Sequence, residues 1–385
     1  MNLDPRAMDQ VLRSHLAPTL DAIGDTATAA AIQAAVRTRR GDSYDGAFGR
    51  LHLEPHPDTT APPVTTDTPF DIASLTKLLV GATLAMIAVD EGRVAWDTPI
   101  ADILPLWARR TDRPSSDVTF LHVLNHTSGL PAWRKFYLRY PLSPTPAQAR
   151  QTRQAILEEI CDTPLDGPPG TVYSYSDLGF LLLRTILETL FDAPLGALAK
   201  EKIFAPLDLS ASFVDIDADA HPVDQAPATE RCELRGRLVQ GTVHDENTEI
   251  IGGVSTHAGV FTTASELARF GEHLLAIDDG RAKAPLISQD TLRFAWSPQA
   301  GSSIGAHRGG WDTPSGATSS AGRGFSRDHT VGHLGFTGTS LWIERDRGVV
   351  SVLLSNRVYP TRENPRIRDL RIAFQEAVLP PTASP

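Results

Sequence analysis

Ser74 and Lys77 stand three residues apart in the stretch Phe70-Asp71-Ile72-Ala73-Ser74-Leu75-Thr76-Lys77, just ahead of an apolar run from Leu78 to Val89. On a helix, residues at this spacing share a face, one turn apart. A serine in the first turn lies among unpaired backbone N–H groups at the positive end of the helix dipole, where negative charge on its oxygen is favoured. A lysine set in so apolar a run is desolvated, which lowers its pKa and fits it to act as a base. The two together would make an activated serine nucleophile that needs no histidine. The bland alternative is a helix-capping serine beside a surface lysine. With 25 Ser and 5 Lys in the chain, chance alone supplies roughly 0.3 such pairs, so the pair needs partners from elsewhere. The choice of cation favours chemistry: 31 Arg carry most of the positive charge, yet this position holds the residue that can lose a proton.

Three other stretches supply partners: Leu124-Asn125-His126-Thr127-Ser128-Gly129-Leu130, Pro169-Gly170-Thr171-Val172-Tyr173-Ser174-Tyr175-Ser176-Asp177, and Gly332-His333-Leu334-Gly335-Phe336-Thr337-Gly338-Thr339. With the serine–lysine pair, and in this order, they resemble the serine β-lactamase and penicillin-binding-protein superfamily. Within it the likeness is to the class C β-lactamase-like esterase and carboxypeptidase branch, and it runs from about Thr66 to Asn356. The resemblance implies Ser74 as the acylated nucleophile, Lys77 as its base and Tyr175 as the proton shuttle to the leaving group. A phenol beside an ammonium is expected to be pushed toward phenolate. The oxyanion hole would consist of the backbone N–H groups of Ser74 and Phe336. Gly332 and Gly335 let the strand backbone come close to substrate.

Two departures from the family pattern bear on substrate. Asp177 stands where the family has asparagine, so it adds a carboxylate next to Lys77, caps the following helix, or does both. His333 stands where β-lactamases and peptidases carry a lysine that binds a substrate carboxylate. A mostly neutral histidine gives a hydrogen bond without a full charge, which points to neutral acyl substrates. Arg323, Arg327 or Arg357 could still fold in to supply a cation. Asp177, His333, Gly335 and His244 are the expected substrate contacts. His126 reads as a structural member of its turn. His244-Asp245-Glu246-Asn247 with His257 fits no tight zinc spacing, so neither metal nor cofactor is expected. Trp133, Trp311 and Phe336 are loop aromatics that either wall an acyl pocket or simply pack. Gly252-Gly253 reads as a close-packed turn.

These residues need elements to hold them. Apolar spacing predicts helices over about 4–23, from Ser74 to about Gly92, and over 147–160, 177–190, 195–203, 264–277 and 366–378. Strands are expected at 28–37 and 46–53, and again at 329–332, 339–344 and 348–355, with a Gly/Ser-rich flap over 301–327 shaping the pocket. The expected fold is α+β, a three-layer α/β/α arrangement: an antiparallel sheet built from both termini and flanked by helices, carrying an inserted, mostly helical lobe. The division is 1–92 with 260–385 for the sheet domain and 93–259 for the lobe, the site lying between them.

The 385 residues, 41% hydrophobic with net charge −10, exclude nucleic acid or an anionic membrane as the main partner. Cys161 and Cys232 read as free thiols. No stretch is seen to reach the ~18 apolar residues of a membrane span, and the N-terminus does not resemble a signal peptide, so a cytoplasmic location is expected. The expected activity is hydrolysis of small esters or amides through an acyl-enzyme. The alternatives are a D-alanyl-D-alanine carboxypeptidase or weak β-lactamase, and a non-catalytic acyl-ligand sensor or scaffold. Oligomeric state is left open.

Overall fold

A computed structural model describes residues 3–53, 61–109, 118–316 and 319–381. Its N-terminal hairpin joins β1 (Ala31–Thr38) to β2 (Ser43–Gly49) through a tight turn with Gly41 at φ +92°. In the middle of the chain, β3 (Phe70–Asp71) and β4 (Ser212–Phe213) pair on either side of β7 (Val260–Thr262), and β5 (Glu230–Cys232) forms a hairpin with β6 (Arg237–Val239). Near the C-terminus come β8 (Thr330–Gly335), β9 (Thr339–Glu344) and β10 (Val349–Ser355). The main sheet is antiparallel with order β2-β1-β10-β9-β8, so strands from the two ends of the chain meet at β1 and β10.

Side chains alternate across this sheet as strand geometry requires. Ile32, Ala34, Val36, Trp342 and Leu353 face the helices Pro5–Ser14 and Ile367–Val378. Ala35, Leu341, Ile343, Val350 and Val352 face the larger core that contains the helix Ala264–Asp278. Both faces are buried, which is why the strands read as nearly continuous apolar runs. On the inner face, a Cβ on Gly271 would come within 2.5 Å of Val350, so helix and sheet touch backbone to side chain.

The expected helix over 4–23 is in fact Pro5–Ser14 followed by one short turn, Leu20–Ala22. Pro18 lacks an N–H and bars the helical conformation at the residue before it. The short strands between 70 and 262 lie outside the expected set; at two or three residues each they carry too little alternation to be read. The described part of 301–327 is not a flap over the cavity at Ser74, to whose lining it contributes no residue. Within it Trp311, Ala321 and Phe325 are buried, and Asp312 bridges to Gly332.

From Ala73 to Asp90 the chain is continuously helical, tight over Ala73–Leu75, widened to π geometry over Lys77–Ala82, and α over Thr83–Asp90. Contrary to expectation, these 18 residues have the length and apolarity of a membrane span, but 83% of the segment is buried within the fold. It is the central core helix. Gly81 lets it press against Phe180 and the Thr256 carbonyl, where a Cβ would sit at 3.1 and 3.2 Å.

Candidate active site

Ser74 opens this helix because the residues before it are pinned from several sides. The Asp71 carboxylate accepts the Ala73 N–H (2.9 Å) and the His244 N–H (2.7 Å). Burial pushes the Asp71 pKa up while those two N–H bonds oppose it. Ala73 has φ +48°, a left-handed conformation that costs an alanine about 1–2 kcal/mol and that the Asp71 bond helps to hold. The turn after β8 clamps the same segment. Thr337 Oγ1 donates to the Asp71 carbonyl (2.8 Å) and Thr339 Oγ1 to that of Ile72 (2.9 Å). Gly335 lies so close that a Cβ would be 2.6 Å from the Ile72 carbonyl oxygen. Among the described residues, neither the Ser74 nor the Phe336 backbone N–H has a protein acceptor.

Lys77 is fully buried, and its ammonium donates to Ser74 Oγ at 3.1 Å and to Asp177 Oδ1 at 2.7 Å. The Tyr175 ring centroid is 4.7 Å from Nζ. Two expectations about charge are corrected here. Burial does act to lower the Lys77 pKa, but the Asp177 carboxylate and Tyr175 outweigh it, so the net direction is up and the lysine rests as an ammonium. Tyr175 is likewise raised, by burial first and by Asp177 as well, against the opposing pull of Lys77; it rests as a phenol. Asp177 does not cap its helix. Ser176 does, accepting the Gly179 N–H at 3.1 Å, which leaves the Asp177 carboxylate to the lysine.

The tyrosine stretch is held by the His126 turn. Ser174 N–H donates to the His126 carbonyl (3.0 Å), Ser176 N–H to His126 Nδ1 (2.9 Å), and Gly170 N–H to the Thr127 carbonyl (2.8 Å). A cavity of about 350 Å³ opens at Ser74, lined also by Tyr175, Asp177, His244, Trp133 and Phe336. Trp133 and Phe336 are 42% and 49% exposed. The His244 ring stacks on Phe336 at 5.7 Å and its Nε2 meets Glu230 at 3.0 Å. Arg362 also lines the cavity, paired with Glu230 at 2.6 Å and with Glu246. Neither Arg362 nor Glu230 stood out in the sequence, because their pairing joins segments 132 residues apart.

His333 is not on this wall. It is buried behind Tyr175, with ring centroids 5.7 Å apart, and its Nδ1–H donates to the Leu334 carbonyl at 2.7 Å. There it joins His126 and His307, the last from the expected flap and unremarked in the sequence. Each of the three is buried with an unpartnered Nε2 among the described residues. Burial, with Lys77 nearby, lowers all three pKa values, that of His307 to about 3, so they are neutral. His126 accepts a backbone N–H at Nδ1, so its proton is on Nε2. A metal there would have to displace that proton next to a buried ammonium, with no carboxylate in the cluster, and the fit is poor.

In the second histidine-rich stretch the side chains are already partnered, His244 by Glu230, Glu246 by Arg362 and Asn247 by the Arg134 carbonyl. His257 Nε2 meets Asp245 Oδ1 at 3.1 Å. Burial acts to raise the Asp245 pKa, but His257 and the Thr248 N–H prevail and hold it well below the usual carboxylate range. The candidate cations are engaged elsewhere: Arg323 with Glu376, Arg327 with the Gly316 carbonyl, and Arg357 with the carbonyls of Phe336, Arg362 and Asn364. Trp311 is fully buried against Phe270 and Trp296, in the core and away from the pocket.

Comparison with known proteins places this geometry. The chain is 28% identical over 323 residues to a putative D-alanyl-D-alanine carboxypeptidase of Escherichia coli (strain K12), covering 78% of this chain and 72% of the relative. It is 29% identical over 329 residues to an N-acetylmuramyl-L-alanine amidase of Bacillus subtilis (strain 168), with the same coverage. Among solved structures, EstCE1, a hydrolase with promiscuous acyltransferase activity, shares the fold with a TM-score of 0.71 at 17% identity, over 97% of this chain and 99% of its own. An octameric penicillin-binding protein homologue from Pyrococcus abyssi shares it with a TM-score of 0.66 at 19% identity, over 91% and 76%. The family model described as Beta-lactamase matches residues 16–375, so the chain belongs to the Beta-lactamase family and is a serine hydrolase of the β-lactamase and penicillin-binding-protein type.

Proposed function

We propose that this hydrolase works through an acyl-enzyme on Ser74 and acts on small, uncharged esters or amides. The observation that carries the assignment is the 3.1 Å bond from a buried lysine to a serine hydroxyl that lines a cavity. In the resting state Lys77 is charged and cannot accept the serine proton. It first yields a proton to Asp177 across their 2.7 Å bond, a transfer favoured when bound substrate excludes water and disfavours the ion pair. The neutral amine then takes the Ser74 proton as Oγ attacks the substrate carbonyl. The oxyanion that forms is met by the Ser74 and Phe336 N–H groups, which have no protein acceptor to give up. On collapse, the Tyr175 phenol gives its proton to the departing alkoxide or amine and is reprotonated by Lys77. Water then attacks the acyl-enzyme and gives its proton to the neutral Lys77 amine. Tyr175 protonates Ser74 Oγ as the acid is released and is reprotonated by Lys77, and the proton held on Asp177 returns to the lysine.

The preference for uncharged substrates is supported by the pocket's cations. Lys77 is committed to Ser74 and Asp177, and Arg362 to two carboxylates. A second reading, release of a C-terminal residue from a peptide, is favoured by the names of the relatives, with Arg362 as the group to receive the carboxylate. Its existing partners, Glu230 and Glu246, weigh against that. Hydrolysis of an acetyl aryl ester, a D-alanyl-D-alanine peptide and a chromogenic cephalosporin by wild type and Ser74→Ala tests the proposal. Ester turnover that falls by several orders of magnitude in the variant is expected. Intact turnover in Ser74→Ala would exclude the mechanism, and a peptide preferred over the ester would exclude the substrate class.

A further inference from the structure

The peptide unit joining Gly335 to Phe336 has its N–H assigned above to the oxyanion hole, and its other end, the Gly335 carbonyl, is held from behind the sheet. Arg371, on the helix Ile367–Val378, reaches through with only 8% exposure. One terminal nitrogen donates to the Gly335 carbonyl at 2.6 Å and to the Thr339 carbonyl at 2.7 Å. Gly335 and Thr339 are opposite partners at the base of the β8–β9 turn. Arg357 holds the next peptide, its Nε donating to the Phe336 carbonyl at 2.8 Å.

Arg371 has no carboxylate partner among the described ion pairs, and its Nε is buried without a partner. Burial, then the like charge of Arg357, lowers its pKa to about 9. An unpaired buried cation is costly, and a neutral donor would close a hairpin equally well. What the charge adds is polarisation. A guanidinium on a carbonyl oxygen draws electron density through the amide, so the N–H at the far end of the same unit becomes a stronger donor with a fixed direction.

We propose that Arg371 is a positioning residue for the oxyanion hole, acting through the Gly335–Phe336 peptide. This rests on the assignment of the Phe336 N–H to that hole. The test measures kcat and KM for 4-nitrophenyl acetate, inhibition by phenylboronic acid, and thermal unfolding, in Arg371→Met, Arg371→Lys, Arg371→Gln and Ser74→Ala. A boronate forms a tetrahedral adduct on serine and places an oxygen in the hole. Arg371→Met is expected to lower kcat by about 10- to 100-fold. KM should stay within about threefold of wild type and the boronate should weaken by a factor similar to the loss in kcat. Arg371→Lys recovers part of both losses, because the charge remains. A folded Arg371→Met with wild-type kcat and boronate affinity overturns the proposal, and so does a kcat loss without a boronate loss. Should the methionine variant fail to fold, Arg371→Gln decides: wild-type behaviour there means the charge is not needed, and the proposal fails. Turnover surviving in Ser74→Ala sinks the assignment of the site itself, and this inference with it. A dead Ser74→Ala beside unaffected Arg371 variants sinks this inference alone.

Discussion

Gly335→Ala tests whether β8 and the Ser74 turn are pressed together as one unit. The added methyl would lie 2.6 Å from the Ile72 carbonyl oxygen, about 0.7 Å short of the ~3.3 Å at which carbon and oxygen settle. It would also lie 2.0 Å from Thr339 Oγ1, a hydroxyl already committed to that same carbonyl. Gly335 is not among the residues in the left-handed region, so the effect is steric, with no cost from backbone conformation. The end of β8 must therefore back away from Ser74 by several tenths of an ångström, carrying the Phe336 N–H with it. A 1 Å misplacement costs about 100-fold in rate, so kcat is expected to fall about 10- to 100-fold. Overpacking should cost about 1–3 kcal/mol of stability. Stopped-flow acylation by an aryl ester and the thermal midpoint measure the two effects. An acylation rate within about threefold of wild type would show that the two backbones are not in register-critical contact, and the oxyanion-hole geometry drawn here would be refuted.

Asp177→Asn removes the carboxylate that holds Lys77 charged. Burial, the largest influence on Lys77, then acts with less opposition and pulls its pKa down. The amine must now lose its proton to solvent instead of across the 2.7 Å bond, however, so the acid limb of kcat/KM becomes that of Lys77 itself and should move to higher pH. A limb that stays put, or moves to lower pH, contradicts the proton route through Asp177. The buried histidines make stability depend on pH. The folded pKa of His307 is about 3 against 6.5 for the free side chain, so the unfolded chain takes up the proton first. Its contribution is complete above about pH 6.5 and is lost as the pH falls toward 3, at about 1.4 kcal/mol per pH unit. Replacing His307 by Gln should narrow the gap between denaturation midpoints taken near about pH 7 and about pH 5; an unchanged gap would mean that this ring is not held neutral in the folded state.

Local pattern was enough to place much of the framework. The short apolar runs Val349–Ser355 and Ala31–Thr38 read as strands because each is bounded by turn residues and buried on both faces of the sheet. The 3.6-residue period reads the helix Asp177–Phe191 within one residue of its end. The spacing of Ser74 and Lys77 put the two groups on one turn because helix geometry is set locally. What local pattern cannot carry is charge state and company. The apolar run after Lys77 implied a neutral amine, and it was Asp177, 100 residues away, that reversed the sign. His333 was read beside the substrate, but a strand reports only the alternation of its faces, and what stands in front of a face is decided by other segments; here that is Tyr175. His307 and Arg371 gave no local signal at all, since their contacts join the ends of distant elements. The sequence by itself determined the long helices, the strands of the main sheet and the turn that carries Ser74 and Lys77. Only the tertiary structure decided which groups are charged and which carbonyl meets which donor, because Coulomb energy and desolvation depend on distance through space.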